Sequence, residues 1–416
     1  MATETIDTLV VGGGQAGLAM SAHLREANVP HLVVERNRIA ESWRTARWDS
    51  LVANGPAWHD RFPPLEFEGI DPNAFAGKDR VAQYFEDFAR QIDAPIRCGV
   101  EVQSVTRDAD KTGFVVETSE GRIEAINVVA ATGPFQRPII PPVVPEDSNI
   151  TQLHSNSYYN PEQLPEGGVL VVGAGSSGTQ IANELLGSGR NTYLSVGPHN
   201  RPPRGYRGLD FCWWLGVLGE WDVPTLDPRT AHVTIAVSGA NGGHTVDFRE
   251  LAANGMKLVG MTRDYKDGVI RFAPDLAENI ANGDANHLSM LDRADAYAAA
   301  NGLNLPEEPE ARLIGPDPEC VTDPLLQLDL ARAGVSTIIW ATGYAVDFSW
   351  LQVDAVDEHG KPLHHRGIAP ERGIYFLGLP WLSRRASSFI WGVWHDAKYL
   401  ADHIVQKRNY LDRVGP

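Results

Sequence analysis

Thr8-Leu-Val-Val-Gly-Gly-Gly-Gln-Ala-Gly17 is the segment from which the rest of the chain can be read. An apolar, β-branched run ends in the spacing Gly-x-Gly-x-x-Gly at Gly12, Gly14 and Gly17, and Leu18 to Ala27 continues with helical patterning. The first glycine permits a sharp turn, the second a close approach of backbone to a pyrophosphate, the third close packing of helix on strand. The pyrophosphate then rests on the helix N-terminus, where free N–H groups and the dipole favour negative charge. Val169-Leu-Val-Val-Gly-Ala-Gly-Ser-Ser-Gly178 repeats the pattern 161 residues later, at Gly173, Gly175 and Gly178, before a helical stretch from Thr179 to Leu186. With 40 glycines in 416 residues a lone match carries little. Both copies, however, have the strand before and the helix after that the motif requires. Two such units imply two dinucleotides.

A second pair of echoes lies outside the first. Val128-Val-Ala-Ala-Thr-Gly133 and Thr337-Ile-Ile-Trp-Ala-Thr-Gly343 each end an apolar strand in Ala-Thr-Gly, at Ala131, Thr132, Gly133 and at Ala341, Thr342, Gly343. Small residues at a strand end let the chain pass close to a ligand or a neighbouring backbone. Standing on either side of the second glycine motif, they read as places where the chain leaves one nucleotide unit and re-enters it. The expected fold is α/β, with two Rossmann-like dinucleotide-binding domains. One comprises residues 1–160 and 326–416, and the other, residues 165–325, is inserted in it. Prolines between Pro138 and Pro145 and between Pro161 and Pro165 mark the outgoing linker, and the stretch from Glu307 to Pro318 precedes the return.

Strand-end residues separate the two cofactors. His31-Leu-Val-Val-Glu35 ends in an acid 18 residues after Gly17, placed to accept both ribose hydroxyls of an adenosine without a 2′-phosphate, as in FAD or NAD. The equivalent strand of the second unit carries Ser195 and no acid, and His199, Arg201, Arg204 and Arg207 follow within a dozen residues. A hydroxyl and clustered cations suit a 2′-phosphate, which a carboxylate would repel. The first site therefore reads as FAD and the second as NADPH.

Composition bounds the remainder. A net charge of −17 argues against nucleic acid and anionic membrane surfaces as partners. Cys98, Cys212 and Cys320 lie more than 100 residues apart and offer neither a CxxC pair nor a metal spacing, which fits a reducing, cytoplasmic setting. The longest apolar stretch, Leu209 to Leu218, contains Asp210 and is about half the ~18–20 residues a membrane helix needs. A strand-like run beginning at Ile6 leaves no room for a signal peptide. No metal is expected, and a homodimer is compatible with these features.

The chain resembles the flavin-containing monooxygenases, particularly the bacterial CzcO-type flavoproteins, which are related to plant YUCCA enzymes and Baeyer–Villiger monooxygenases. The resemblance rests on Gly12 to Gly17, Glu35, Ser42-Trp43-Arg44, Trp48-Asp-Ser-Leu51, Ala131-Thr-Gly133, Leu153 to Tyr158, Gly173 to Gly178 and Ala341 to Tyr344, and on Pro203-Arg-Gly-Tyr-Arg-Gly208 with Trp213-Trp214. The family's motif between the glycine turns keeps His154 and Tyr158 here, with Ser148 and Ile150 in place of Phe and Gly.

What the resemblance implies is a monooxygenase of a small organic substrate. NADPH reduces FAD, O2 adds to give a C4a-(hydro)peroxyflavin, and one oxygen atom passes to the substrate by N- or S-oxygenation or a related oxidation. Baeyer–Villiger oxidation, YUCCA-like oxidative decarboxylation and two-dinucleotide reductase chemistry are the alternatives, and a flavin- or nucleotide-sensing protein is the non-enzymatic one. The resemblance adds Gln15, Ala16, Arg36, Trp43, Arg44, Val102, Ser176 and Ser177 to the cofactor-binding set. It places Asn54 at the reacting end of the flavin as the catalytic side chain. His154 becomes a hinge residue. Phe389 and Trp391, at the start of a helical pattern, and Trp213 and Trp214, from the second unit, are expected around the substrate.

Overall fold

The computed structural model describes residues 4–108, 113–225, 234–411 and 413. In chain order the principal elements are β1 (Glu4–Val11), α1 (Gln15–Glu26), β2 (His31–Glu35), α2 (Lys78–Gln91), β3 (Ile96–Cys98), β4 (Val102–Arg107), β5 (Phe114–Thr118) and β6 (Gly121–Ala130). There follow β7 (Thr151–His154), β8 (Gly168–Val172), α3 (Ser176–Gly187), β9 (Thr192–Ser195), β10 (Lys257–Val259), α4 (Leu276–Ala300), β11 (Val335–Trp340), β12 (Ile374–Phe376) and α5 (Ile390–Leu411).

Two sheets form two units. The first has the order β3-β2-β1-β6-β5-β4, with β12 also on β6. Strand β6 serves two neighbours in succession: Gly121 to Ala125 pairs antiparallel with β5, and Val128 to Ala130 pairs parallel with β12. The second sheet, β10-β9-β8-β11-β7, is parallel throughout. The last three residues of β1 and all of β8 are buried, as parallel strands covered on both faces must be, which is why both read as unbroken apolar runs. Small residues on α1, with Leu18 and Met20, lie in the first core against β1 and α5.

Strand membership differs from the expected boundaries at 160/165 and 325/326. Thr151–His154 and Val335–Trp340 both belong to the second sheet, because β8 is buried and takes β11 as its second parallel neighbour, with β7 beyond. The chain crosses between units at Arg137–Pro138 and returns at Tyr344–Ala345, and these two short segments pair antiparallel with each other. His154 sits beside that ribbon, 2% exposed, with its Nε2 on Gly343 O at 3.0 Å. Burial lowers its pKa. Tyr158, also buried, donates its hydroxyl to Glu184 Oε2 on α3 at 2.7 Å.

Candidate functional site

At the carboxyl end of β1 the chain turns at Gly12, with φ of +116°, and a Cβ there would lie 2.5 Å from Ala131 O. Any other residue would be both strained and obstructed. Helix α1 starts with Gly14 as its N-cap, no side-chain cap and no acid in its first turn. A Cβ on Gly14 would meet nothing within 4 Å, so the helix N-terminus opens on free space. Glu35 closes one flank, accepting the Gly13 N–H at 2.7 Å and the Asn37 N–H at 2.9 Å. Ala131 to Gly133 close the other, held by the Ala131 N–H on Val11 O at 2.9 Å. Gln15 Nε2 donates to Ser388 O at 2.9 Å and ties α1 to the entrance of α5. A cradle with free N–H groups, an acid beside the turn and no side chain in the way fits a dinucleotide such as FAD. Of the other residues expected here, Ala16 is buried in α1, Arg36 is exposed next to Glu35, and Val102 opens β4, two residues beyond Val100, whose N–H donates to Glu35 O at 3.0 Å.

The second unit repeats the construction. Gly173 has φ of +110°, and its Cβ would lie 2.5 Å from Ala341 O, so each Ala-Thr-Gly stands over the first glycine of its own unit. Gly175 caps α3 without a side-chain bond, and Ser177 is exposed. One feature is peculiar to this cradle. Ser176 Oγ donates to Ile235 O at 2.9 Å, and a Cβ on Gly175 would lie 2.9 Å from Thr234 Cγ2, so the segment at 234–237 lies against the α3 N-terminus.

The three residues expected to read a 2′-phosphate are placed otherwise. Ser195 is buried, with Oγ on Gly260 O at 2.9 Å. Arg201 is 3% exposed and pairs with Asp284 of α4 at 2.8 Å. Arg204, 5% exposed, holds Asp210 with its Nη2 at 2.6 and 2.7 Å. Buried cations need close carboxylates, and these two have taken theirs inside the protein. The expectation that they face a cofactor phosphate does not fit this placement.

Between the cradles lies the segment from Trp43 to Asn54. Trp43 packs against the cores of both units, and Arg44 reaches Glu86 of α2 at 2.6 Å. Arg47, which the sequence reading passed over, stands 4.9 Å from the Phe135 ring and 5.9 Å from Trp43, and its pKa is lowered by burial. Asn54 is exposed, with neighbours Ala53 and Ala57 in the first core. Its Oδ1 accepts from Gln180 Nε2 of α3 at 2.9 Å, so the residue bridges the two units.

Residues 9–202 match a family model described as pyridine nucleotide-disulphide oxidoreductase. An uncharacterised CzcO-like oxidoreductase of Geobacillus kaustophilus is 35% identical over 404 residues, covering 96% of this chain and 98% of the relative. This chain belongs to the CzcO-like oxidoreductases. The probable indole-3-pyruvate monooxygenase YUCCA1 of Arabidopsis thaliana is 30% identical over 193 residues, 45% of this chain and 46% of the relative. Among solved structures, a flavin-containing monooxygenase from Stenotrophomonas maltophilia superposes with a TM-score of 0.67 at 18% identity, covering 97% of this chain and 99% of that one.

In this family member the aromatic residues expected around a substrate divide into two groups. Trp214 is fully buried, its Nε1 on Tyr206 O at 2.9 Å, and Trp213 packs edge-on against it, so both belong to a core. Phe389, 39% exposed, and Trp391 instead gather at the start of α5 around Trp221, at 5.2 and 5.9 Å between ring centroids. His59 stacks on the same Trp221 at 5.2 Å. Its Nδ1 meets Asp60 Oδ1 at 2.8 Å, while its Nε2 and the Nε1 of Trp391 are buried without a partner. His59 and Trp221 went unnoticed in the sequence; Trp58-His-Asp60 carries no spacing that singles it out. Among the described residues no group of His, Cys, Asp and Glu could hold a metal, and no helix is long and apolar enough to cross a membrane. A concavity of about 580 Å³ around Gly168, Arg190 and Gly334 lies at the amino ends of β8 and β11, at the opposite end of β8 from the second glycine turn.

Proposed function

We propose that this CzcO-like oxidoreductase is a monooxygenase that binds FAD in the first cradle and NADPH in the second, and uses them with O2 to oxygenate a small organic substrate. The observation that carries the reading is Asn54, exposed between two glycine cradles and hydrogen-bonded to the helix of the second. Glu35 would take the ribose hydroxyls of the first dinucleotide, and the uncapped N-terminus of α1 its pyrophosphate. The start of α5, which has no acid in its first turn, would favour negative charge on the flavin ring. In the second cradle β9 ends in Ser195, so no strand-end carboxylate repels a 2′-phosphate.

Bound FAD would supply hydride acceptance and oxygen activation, and bound NADPH the hydride. The chain's own part is to orient both, to exclude water with the Trp221–Phe389–Trp391 rings, and to offer the Asn54 amide as a hydrogen-bond donor. N- or S-oxygenation is the reading proposed. Baeyer–Villiger oxidation and oxidative decarboxylation belong to the same chemistry, and the indole-3-pyruvate monooxygenase among the relatives supports the latter as an alternative.

The description of the matching family model favours one rival, a disulfide reductase. Cys98 is exposed, Cys320 half-buried and Cys212 buried, with its thiol pKa pushed up by burial; all three are free. No pair is available to relay electrons. Both readings require a bound flavin, so the first test on the purified protein is common to them. The protein should carry one FAD, and anaerobic NADPH should bleach the flavin. A protein that stays colourless after incubation with excess FAD would refute the proposal.

A further inference from the structure

We infer that Gln180, on the helix of the nicotinamide cradle, is a positioning residue that fixes which end of the Asn54 amide faces a bound cofactor. The inference rests on the proposed function and adds a coupling between its two sites. Gln180 is 9% exposed, and its Nε2 makes two bonds, to Val237 O at 3.0 Å and to Asn54 Oδ1 at 2.9 Å. A backbone carbonyl only accepts, so the Gln180 atom on Val237 must be the NH2 group. Its other hydrogen then selects the oxygen of Asn54, and the Asn54 NH2 is left as the free donor on an exposed residue. The orientation of one amide is thus set by a carbonyl two residues removed in the network.

The backbone of Asn54 is held as firmly. Arg204 Nη1 donates to Asn54 O at 2.5 Å, its Nη2 grips Asp210, and its guanidinium lies 4.9 Å from the Phe75 ring. The Gly55 N–H donates to Asp60 Oδ2 at 2.9 Å. With the main chain clamped, rotation of the side-chain amide is the freedom that remains, and Gln180 removes it. Helix α3 carries Gln180 and starts directly at the glycine turn for the nicotinamide dinucleotide, so occupancy of that cradle and the orientation of Asn54 are linked, and linkage is reciprocal.

The test is a titration of oxidised, FAD-loaded protein with NADP⁺, read as the change in the flavin absorption spectrum, without turnover. Wild type should show a saturable spectral response. Gln180→Met keeps the side chain's length and removes its donors, and should weaken NADP⁺ about three- to tenfold, the size of one neutral hydrogen bond. Asn54→Ala should do the same, and the double variant should be no worse than either alone, because the two act as one unit. Gln180→Glu provides a second reading. Its carboxylate repels Val237 O, frees or inverts the Asn54 amide, and should abolish the spectral response even where NADP⁺ still binds. Losses that multiply in the double variant, a Gln180→Met protein with wild-type affinity, or a wild type that binds NADP⁺ with no flavin response would each overturn the coupling alone. A wild type that binds no FAD would overturn both this inference and the functional reading.

Discussion

Arginines 201 and 204 illustrate how a cation's role depends on the carboxylate it finds. Arg201 is enclosed with Asp284, which also receives Arg249 Nη1 at 2.7 Å, so removing it leaves a buried carboxylate short of one partner. Arg201→Ala is therefore expected to lower the stability of the protein by about 3–5 kcal/mol, the usual cost of breaking a buried pair, and to weaken NADPH and NADH alike. Arg263 is the contrasting case. It is exposed, has no carboxylate partner among the described residues, and follows Thr262, whose N–H reaches Ser195 Oγ at the end of β9 at 3.1 Å. Arg263→Ala should leave the unfolding midpoint unchanged and reduce the preference for NADPH over NADH roughly ten- to a hundredfold, the worth of one charge-assisted contact. Steady-state kinetics with both nicotinamides and a thermal melt on each variant decide the matter. An Arg201→Ala protein of normal stability with a selective loss of NADPH would reinstate it as the phosphate reader.

At the scale of elements, the two strand–turn–helix units are alike enough to be tested against each other. Gly12 and Gly173 each combine a positive φ with an Ala carbonyl 2.5 Å from where a Cβ would stand. Backbone strain of this kind costs about 1–3 kcal/mol before the steric clash is counted, so Gly→Ala should weaken the dinucleotide of that unit by more than about tenfold. Gly12→Ala should purify without flavin. Gly173→Ala should remain yellow but resist reduction by NADPH; bleaching at the wild-type rate would contradict the assignment of the second cradle. The same comparison explains what the sequence makes legible. A glycine turn, a strand-end acid and an Ala-Thr-Gly stop are local requirements, and all of them occupy the places their spacing implied. The partners of Arg201 and Arg204 are not local in the same sense: Asp284 is 83 residues from Arg201, and no spacing announces it. Trp213 and Trp214 mislead for a related reason. An aromatic pair reads equally as pocket or core until Tyr206 and Tyr297 are seen against it. Gln180 did carry a signal, an amide on the helix directly after the second glycine turn, but only the fold brings Asn54 to it.

Seen as a whole molecule, the chain is two Rossmann-like units joined by a short antiparallel ribbon, with His154 beside the crossing and Asn54 hydrogen-bonded to the helix of the second unit. On the proposed function, the carboxyl ends of β1 and β8, the two turns and the aromatic start of α5 would serve one reaction, with hydride supplied from the second unit and oxygen handled at the first. The central claim is that this reaction ends in oxygen transfer and not in reduction of an acceptor. It is tested most directly by turning the protein over with NADPH under ¹⁸O2, in the presence of amines, sulfides, ketones and indolic acids, and weighing the products. The account predicts a product that gains one ¹⁸O atom for each NADPH consumed in coupled turnover, and no product when O2 is withheld. NADPH oxidation that continues without O2 at the expense of a disulfide acceptor, with no ¹⁸O in any product, would contradict it.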